Sequence, residues 1–301
     1  MIKDRFLDSI KSRFSMIKFT LLVFTRNISS TLGLAIVLIY VIIALIDQFY
    51  PPLLGLTNIS KLSLNFTQTL PQPPSYAHPF GTTYPGIDLY HAILKAIRVD
   101  IGFSGFVTVG AAFIGVMIGL VSAYYGKWLD TIVMRITDIF FSIPYLVLAI
   151  AIGFFLGRSL VILSLALMII WWPIYARVVR GQVLSIKEYS YIEAARASGV
   201  RNIKIMFKHV LPNTLAPVFV QFSFDLAVVV LVIATLDFIG FTPANAYLPE
   251  LGYLSYIGYE YAVNGYWWTI LFPGLAIMIY AMGMNLVGDG LRDALDPRLR
   301  R

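Results

Sequence analysis

Cysteine is absent from this 301-residue chain, which excludes disulfides and thiolate metal sites but leaves the redox compartment open. Charge is scarce as well. Only 13% of residues are Asp, Glu, Lys or Arg against 58% hydrophobic ones, whereas soluble domains carry roughly a quarter charged residues. The composition is that of a polytopic membrane protein. Histidine is nearly missing: His78, His91 and His209 are scattered and make a poor metal site. The phosphate loop G-x-x-x-x-G-K-[ST] does not occur, so the chain cannot cradle ATP by that means. A G-x-S-x-G elbow, an H-E-x-x-H helix and a paired-cysteine site are missing too, and an intramembrane enzyme would need such a set. Energy for transport must then come from a partner or a gradient. The net charge of +7 raises the question of nucleic acid. However, no stripe interleaves aromatic with basic residues, and the basic residues sit at predicted membrane edges, where topology explains them. Nucleic acid is not an expected partner.

What the chain does have is long apolar runs. They predict an all-α fold of about six transmembrane helices. The spans fall near 31–46 (lengthening toward Tyr50 if Asp47 reaches the interface), 101–124, 139–156, 160–176, 215–236 and 267–287. Gly115-x-x-x-Gly119 in the second span permits close helix contact. Pro144 interrupts the third. Residues 1–30 form an amphipathic, basic segment that fits a helix on the inner membrane surface, and the apolar stretch after it lacks a small-residue cleavage site. The first transmembrane helix occupies 31–50. Residues 51–100 make a Pro-, Thr-, Asn- and Tyr-rich extracytoplasmic loop, and 101–301 hold a five-helix core.

Lys and Arg orient this topology. With the N-terminus inside, nineteen of the 23 basic residues are cytoplasmic, and Lys61, Lys95, Arg98 and Arg158 are outside. Both termini are then cytoplasmic, and so is a polar loop at 177–214.

That loop is the most informative stretch. Across Glu188–Pro217 it reads as two short helices separated by a glycine. Ser190 with Glu193 forms a capping box, which predicts a helix from about Tyr191. Gly199 fits the position just past its end. Asn202 is the expected cap of the second helix, and Pro212 lies near its end. Ala194, Ala195, Ala197, Ser198 and Gly199 give the first helix a small-residue surface suited to a partner's groove.

The spacing Glu193-Ala194-Ala195, then Gly199, then Leu211-Pro212 resembles the EAA loop of permease subunits of ATP-binding-cassette (ABC) importers. The run Phe207–Asn213, with His209 where isoleucine is common, is similar to the dipeptide/oligopeptide branch. His78-Pro79-Phe80-Gly81-Thr82-Thr83 with Gly86-Ile87-Asp88 resembles a segment of the same branch. There Thr83 stands for the usual aspartate and Ile87 for the usual arginine, so no ion pair of theirs carries over. Residues 285–298 resemble its C-terminal signature, and Asp289, Arg292 and Asp293 are candidates for contact with the inner loop or the ATPase. The resemblance implies a type I ABC importer permease fold, with Glu193, Ala194, Ala195, Arg196, Ser198, Gly199, Leu211 and Pro212 in coupling to an ATPase. It also implies a second permease subunit, two ATPase subunits that carry ATP-Mg, an extracytoplasmic solute-binding protein and a lipid bilayer around the spans. This chain itself would bind no cofactor and would not be an enzyme. The implied cargo is a short peptide, with an oligosaccharide as the alternative.

Ionisable groups inside spans are candidates for function, because burying charge in hydrocarbon is costly. Asp225, with Gln221 one turn earlier on the same face, is a candidate lining of the translocation path or a helix-packing group. Asp138 and Asp237 sit nearer span ends, where snorkelling to the interface is expected. The tyrosines of 240–266 suit an aromatic belt, or a surface that meets a solute-binding protein. A gradient-driven secondary transporter is the rival class, and Asp225 would be its coupling charge. Such a protein would want repeated halves, which are not apparent, and would leave the EAA-like loop unexplained.

Overall fold

The computed structural model describes residues 22–54, 70–241 and 249–295. Residues 1–21 of the amphipathic segment expected at 1–30, Tyr247 and the tail 296–301 lie outside the described residues. Besides helices and the turns that join them, the described chain has a two-stranded hairpin, in which Thr82–Thr83 (β1) pairs antiparallel with Ile87–Asp88 (β2).

The first span, α1, runs Ile28–Phe49. Its 22 residues reach about 33 Å, enough to cross a bilayer core, where a shorter span was expected. Helix α2, Leu89–Tyr125, has 37 residues and begins well before Ile101. Asp88 starts it by accepting the His91 backbone N–H at 3.2 Å. Helices α3, Lys127–Ser142, and α4, Tyr145–Leu156, meet at a bend of 89° across Ile143-Pro144. The third span is therefore not one straight helix. Proline removes a helical donor and pushes the residue before it out of the α region, and Ile143 is extended (φ −107°, ψ 127°). Helix α5 spans Leu160–Ile186 and α6 spans Ser190–Ala197. Helix α7 is continuous from Asn202 to Phe238. Helix α8 is Leu251–Ala262, and α9 is Trp268–Leu295. Among the described residues five helices are long and apolar enough to cross a membrane, or six if the bent pair counts as one span.

Two cores hold the bundle. One lies along α2, α5 and α7 and includes Leu120, Leu167, Tyr175, Val179 and Val229. Small residues make it possible. A side chain at Gly115 would strike the Trp172 carbonyl, and one at Gly119 would come within 2.5 Å of the Ala176 carbonyl. Without water to drive association inside a bilayer, such close backbone packing is a main source of cohesion. The other core joins α1, the first turns of α2, α7, α8 and α9 through Tyr40, Ile93, Ala227, Leu254 and Tyr280. Gly33 of α1 allows the approach of Leu286 and Gly283 on α9.

Helix α3 is tied on by charge. Arg180 of α5 forms a bidentate pair with Asp130 (2.8–3.0 Å), and Arg177 pairs with Asp138 and lies 4.1 Å over the Phe141 ring. Asp138 is thus committed to a partner rather than left to snorkel. Trp128, Ile132 and Ile139 on another side of α3 are exposed.

Candidate coupling loop and vestibule

At one end of the bundle, α5 runs into the polar loop. The Tyr189 carbonyl accepts the N–H groups of Ile192 (2.9 Å) and Glu193 (3.2 Å), and the helix begins at Ser190 itself. The expected capping box is not made: Ser190 is already a helical residue, and no side chain caps this end. The other end follows expectation. Gly199 takes φ +76°, its N–H bonds the Arg196 carbonyl at 3.0 Å, and the Val200 N–H reaches back to Ala195 at 3.1 Å. This six-to-one closure is the Schellman motif. A Cβ at Gly199 would meet nothing within 4 Å, so backbone conformation rather than space demands glycine.

The little helix has a rigid footing. Ile192 is fully buried in the first core beside Ile205, Met206 and Val210. Tyr124, at the end of α2, donates its hydroxyl to Asn202 Oδ1 at 3.0 Å and lies 5.8 Å under the Arg196 guanidinium. Asn202 is therefore a tether and not the expected cap; Arg201 holds the cap position. Nor does a helix end at Pro212. The turn Met206–Val210 widens to a π-turn, and α7 continues through the proline. A single such turn relieves the clash that proline makes with the carbonyl four residues back.

The predicted loop residues thus divide. Glu193, Ala194, Arg196, Ser198, Gly199 and Pro212 are exposed on one projecting unit. Ala195 and Leu211 pack half-buried against the core and support it. Ser198 spends its hydroxyl on the Ala194 carbonyl at 2.8 Å. Beside the unit, Arg201, Ile203, Lys204, Phe207 and Lys208 line an open basic cleft.

Asp225 and Gln221 lie deeper in α7. Gln221 donates its amide N–H to Asp225 Oδ1 at 3.0 Å. Asp225 is 3% exposed and turned toward Tyr175 and Trp171 of α5. Gln221 also borders a cavity of about 510 Å³ that Asp225 does not line. Its walls come from Val178 and Gln182 of α5, from Asn213 to Phe224 of α7, and from Arg292 and Leu295 of α9. Of the two residues singled out in α7, one fronts open space and the other is held between helices.

The opposite end buries polar groups that sequence reasoning missed. Asp47 of α1 is 3% exposed and forms an ion pair with Arg98 of α2, whose Nε lies 3.0 Å from its Oδ2, with Lys95 nearby. Asp100 of α2 accepts the Leu251 N–H of α8 at 3.1 Å. Asp237 of α7 and Glu250 join it, and all three carboxyl groups are buried. Burial, reinforced by Asp237 and Asp100, pushes Glu250 up to about 11. Asp237 is therefore packed inside the fold, contrary to the snorkelling expected of it. The visible signal was charge inside an apolar window, at Lys95, Arg98 and Asp100. The hairpin closes this end: Trp268 Nε1 donates to the Thr82 carbonyl at 3.1 Å, and Asp88 pairs with His78 at 2.6 Å.

A multi-span bundle that carries an exposed, glycine-terminated helix on a rigid footing, beside an open cavity among the spans, defines a membrane permease. Residues 115–301 match the family described as binding-protein-dependent transport system inner membrane component. The chain is 38% identical to a dipeptide transport system permease protein of Alkalihalophilus pseudofirmus over 91% of its own length and 88% of that protein's. It is 42% identical to a probable D,D-dipeptide transport system permease protein of Escherichia coli K12, over 75% of each. Among solved structures, one from the inward-facing MetNI methionine ABC transporter aligns with TM-score 0.50 and 24% identity, covering 65% of this chain and 94% of that one. That likeness carries the fold. The chain belongs to the binding-protein-dependent transport system inner membrane component family and is a multi-pass membrane permease.

Proposed function

We propose that this permease is one of two that together enclose the translocation path of an ABC importer for short peptides. The loop end faces the cytoplasm, a reading that the Lys and Arg distribution supports. The helix Ser190–Ala197 seats in an ATPase subunit, through Glu193, Ala194, Arg196, Ser198 and Gly199 on its outer side and Ala195, Leu211 and Pro212 at its base. ATP-Mg binds and is hydrolysed on two such ATPases, and the chain itself binds no cofactor. A solute-binding protein delivers cargo at the hairpin end. The observation that carries this reading is the loop itself: a small-residue surface, exposed to solvent, on a helix whose Ile192 is locked in the core. A polar knob of that kind, footed on the ends of α2, α5 and α7, transmits displacement to the spans. Peptide cargo is supported by the relatives, whose names specify dipeptides.

The test is to purify the chain from its native membrane in mild detergent, reconstitute it with whatever subunits accompany it, and measure uptake. Accompanying ATPase and second permease subunits, with ATP-driven uptake of dipeptides, are the expected outcome. Uptake of maltotriose but not of dipeptides would reassign the cargo. Uptake by the chain alone that collapses with the ion gradient and not with ATP would replace the reading with a secondary transporter.

A further inference from the structure

The vestibule has a chemistry of its own. Its volume of about 510 Å³ lies within the range that encloses a small organic ligand. Val178, Val220 and Phe224 make much of its wall apolar. The polar groups that reach it are few, and one is cationic. Arg292, on the last turns of α9, forms no ion pair among the described residues, although Asp289 and Asp293 stand near it on the same helix. Gln221 gives its amide N–H to Asp225, which leaves its carbonyl oxygen as an acceptor at the cavity. Gln182 adds a second amide. The planar fork of a guanidinium beside an apolar wall selects a carboxylate, which it holds bidentately. Carbonyl acceptors a short distance away select N–H donors. A short peptide with a free C-terminus presents both, together with an apolar side chain. A neutral oligosaccharide would leave the arginine without a counter-charge.

We infer that this cavity is an exit-side peptide site in which Arg292 holds the C-terminal carboxylate, the side-chain carbonyls of Gln221 and Gln182 accept from peptide N–H groups, and Phe224 packs a cargo side chain. The inference rests on the peptide-importer reading and adds to it a residue-level rule: the cargo's terminal carboxylate is recognised by the permease itself.

The experiment uses the assembled importer in lipid nanodiscs, without nucleotide and without solute-binding protein. Equilibrium binding of tritiated alanyl-phenylalanine is compared with that of its C-terminal amide. A charge-assisted hydrogen bond pair predicts that the free acid binds about ten- to a hundredfold more tightly. Arg292→Gln should erase that preference by weakening the free acid alone, and Arg292→Lys should restore part of it. Equal binding of acid and amide to the wild type, or an undiminished preference in Arg292→Gln, overturns the assignment. So does displacement of the peptide by millimolar inorganic phosphate, which would mark a general oxyanion site. Gel filtration of Arg292→Gln with its partner subunits separates the other role open to this residue, since loss of assembly would assign it to subunit contact. A wild type that binds maltotriose and no dipeptide overturns the cargo reading and this site with it, whereas dipeptide binding indifferent to the terminus overturns only the site.

Discussion

The two ends of the bundle treat polar groups in opposite ways. At the loop end they are displayed. Glu193, Arg196, Arg201, Lys204 and Lys208 are all exposed, and the structure spends its buried contacts on Ile192, Ile205 and Val210 to hold them out. At the hairpin end they are folded in. Asp47, Lys95, Asp100, Asp237 and Glu250 are all buried; Asp47 pairs with Arg98, and Asp100 accepts a backbone N–H from Leu251. Displayed charge on a rigid footing is what a partner surface needs. Buried charge is costly unless paired, and its gain is a specific arrangement of the helices that share it. One end is thus built to be met, and the other to keep α1, α2, α7 and α8 in register. Substitutions at the first should damage transport while sparing the fold; at the second they should damage the fold first.

The sharpest way to break this contrast is at Gly199. Its φ of +76° cannot be reached by proline, whose ring fixes φ near −65°. Gly199→Pro should open the Schellman closure, displace the helix before it and reduce ATP-driven uptake to background. Membrane insertion, read by protease accessibility, should persist because nothing packs within 4 Å of that position. Uptake at the wild-type level would show that the projecting helix transmits nothing.

How much of this was readable beforehand differs between the ends for a physical reason. The loop was legible because its signals are local: a glycine at a helix end, a run of alanines, and charges clustered between apolar stretches. Even there, Ser190 and Asn202 were misassigned. Serine and asparagine fit a cap equally well one position away, and tertiary contacts such as Tyr124 with Asn202 make the choice. The hairpin end was illegible because its logic is long-range. Lys95, Arg98 and Asp100 read as the edge of a membrane span, so α2 was expected to begin after them. In the fold Arg98 answers to Asp47 on another helix, and Asp100 to Leu251, more than a hundred residues away in the chain. Pro144 was visible too, but the right-angle bend it helps make depends on α3 being drawn to Arg177 and Arg180.

A second, smaller effect sharpens the comparison at Asp47. Asp47→Ala leaves Arg98 and Lys95 facing a buried space without their carboxylate. Removing one partner of a buried pair costs roughly 3–5 kcal/mol. Arg98 keeps 31% of its side-chain surface and a 3.1 Å bond to Gln48, so about 2–3 kcal/mol is the expected loss. The melting temperature of the detergent-solubilised protein should fall accordingly, while uptake per folded transporter stays near normal. A mutant that melts normally but fails to transport would place a functional charge where this comparison places a structural one.

A third effect concerns pH and separates the ends by titration. Glu250 is pushed up to about 11 from an ordinary 4.5, first by burial and then by Asp237 and Asp100. Between those limits the folded protein keeps a proton that the unfolded chain has released. Folding then takes up a proton, and stability is greatest below the unfolded value and declines as pH rises toward the folded one. Glu250→Gln supplies a neutral side chain of the same shape and removes this proton from the comparison. The variant should match the wild type near about pH 5 and melt higher than it near about pH 9, with the difference growing steadily between. If Glu250→Gln leaves the slope of melting temperature against pH as it is in the wild type, the buried carboxyl groups are not what distinguishes the hairpin end, and the contrast must rest on the Asp47 pair alone.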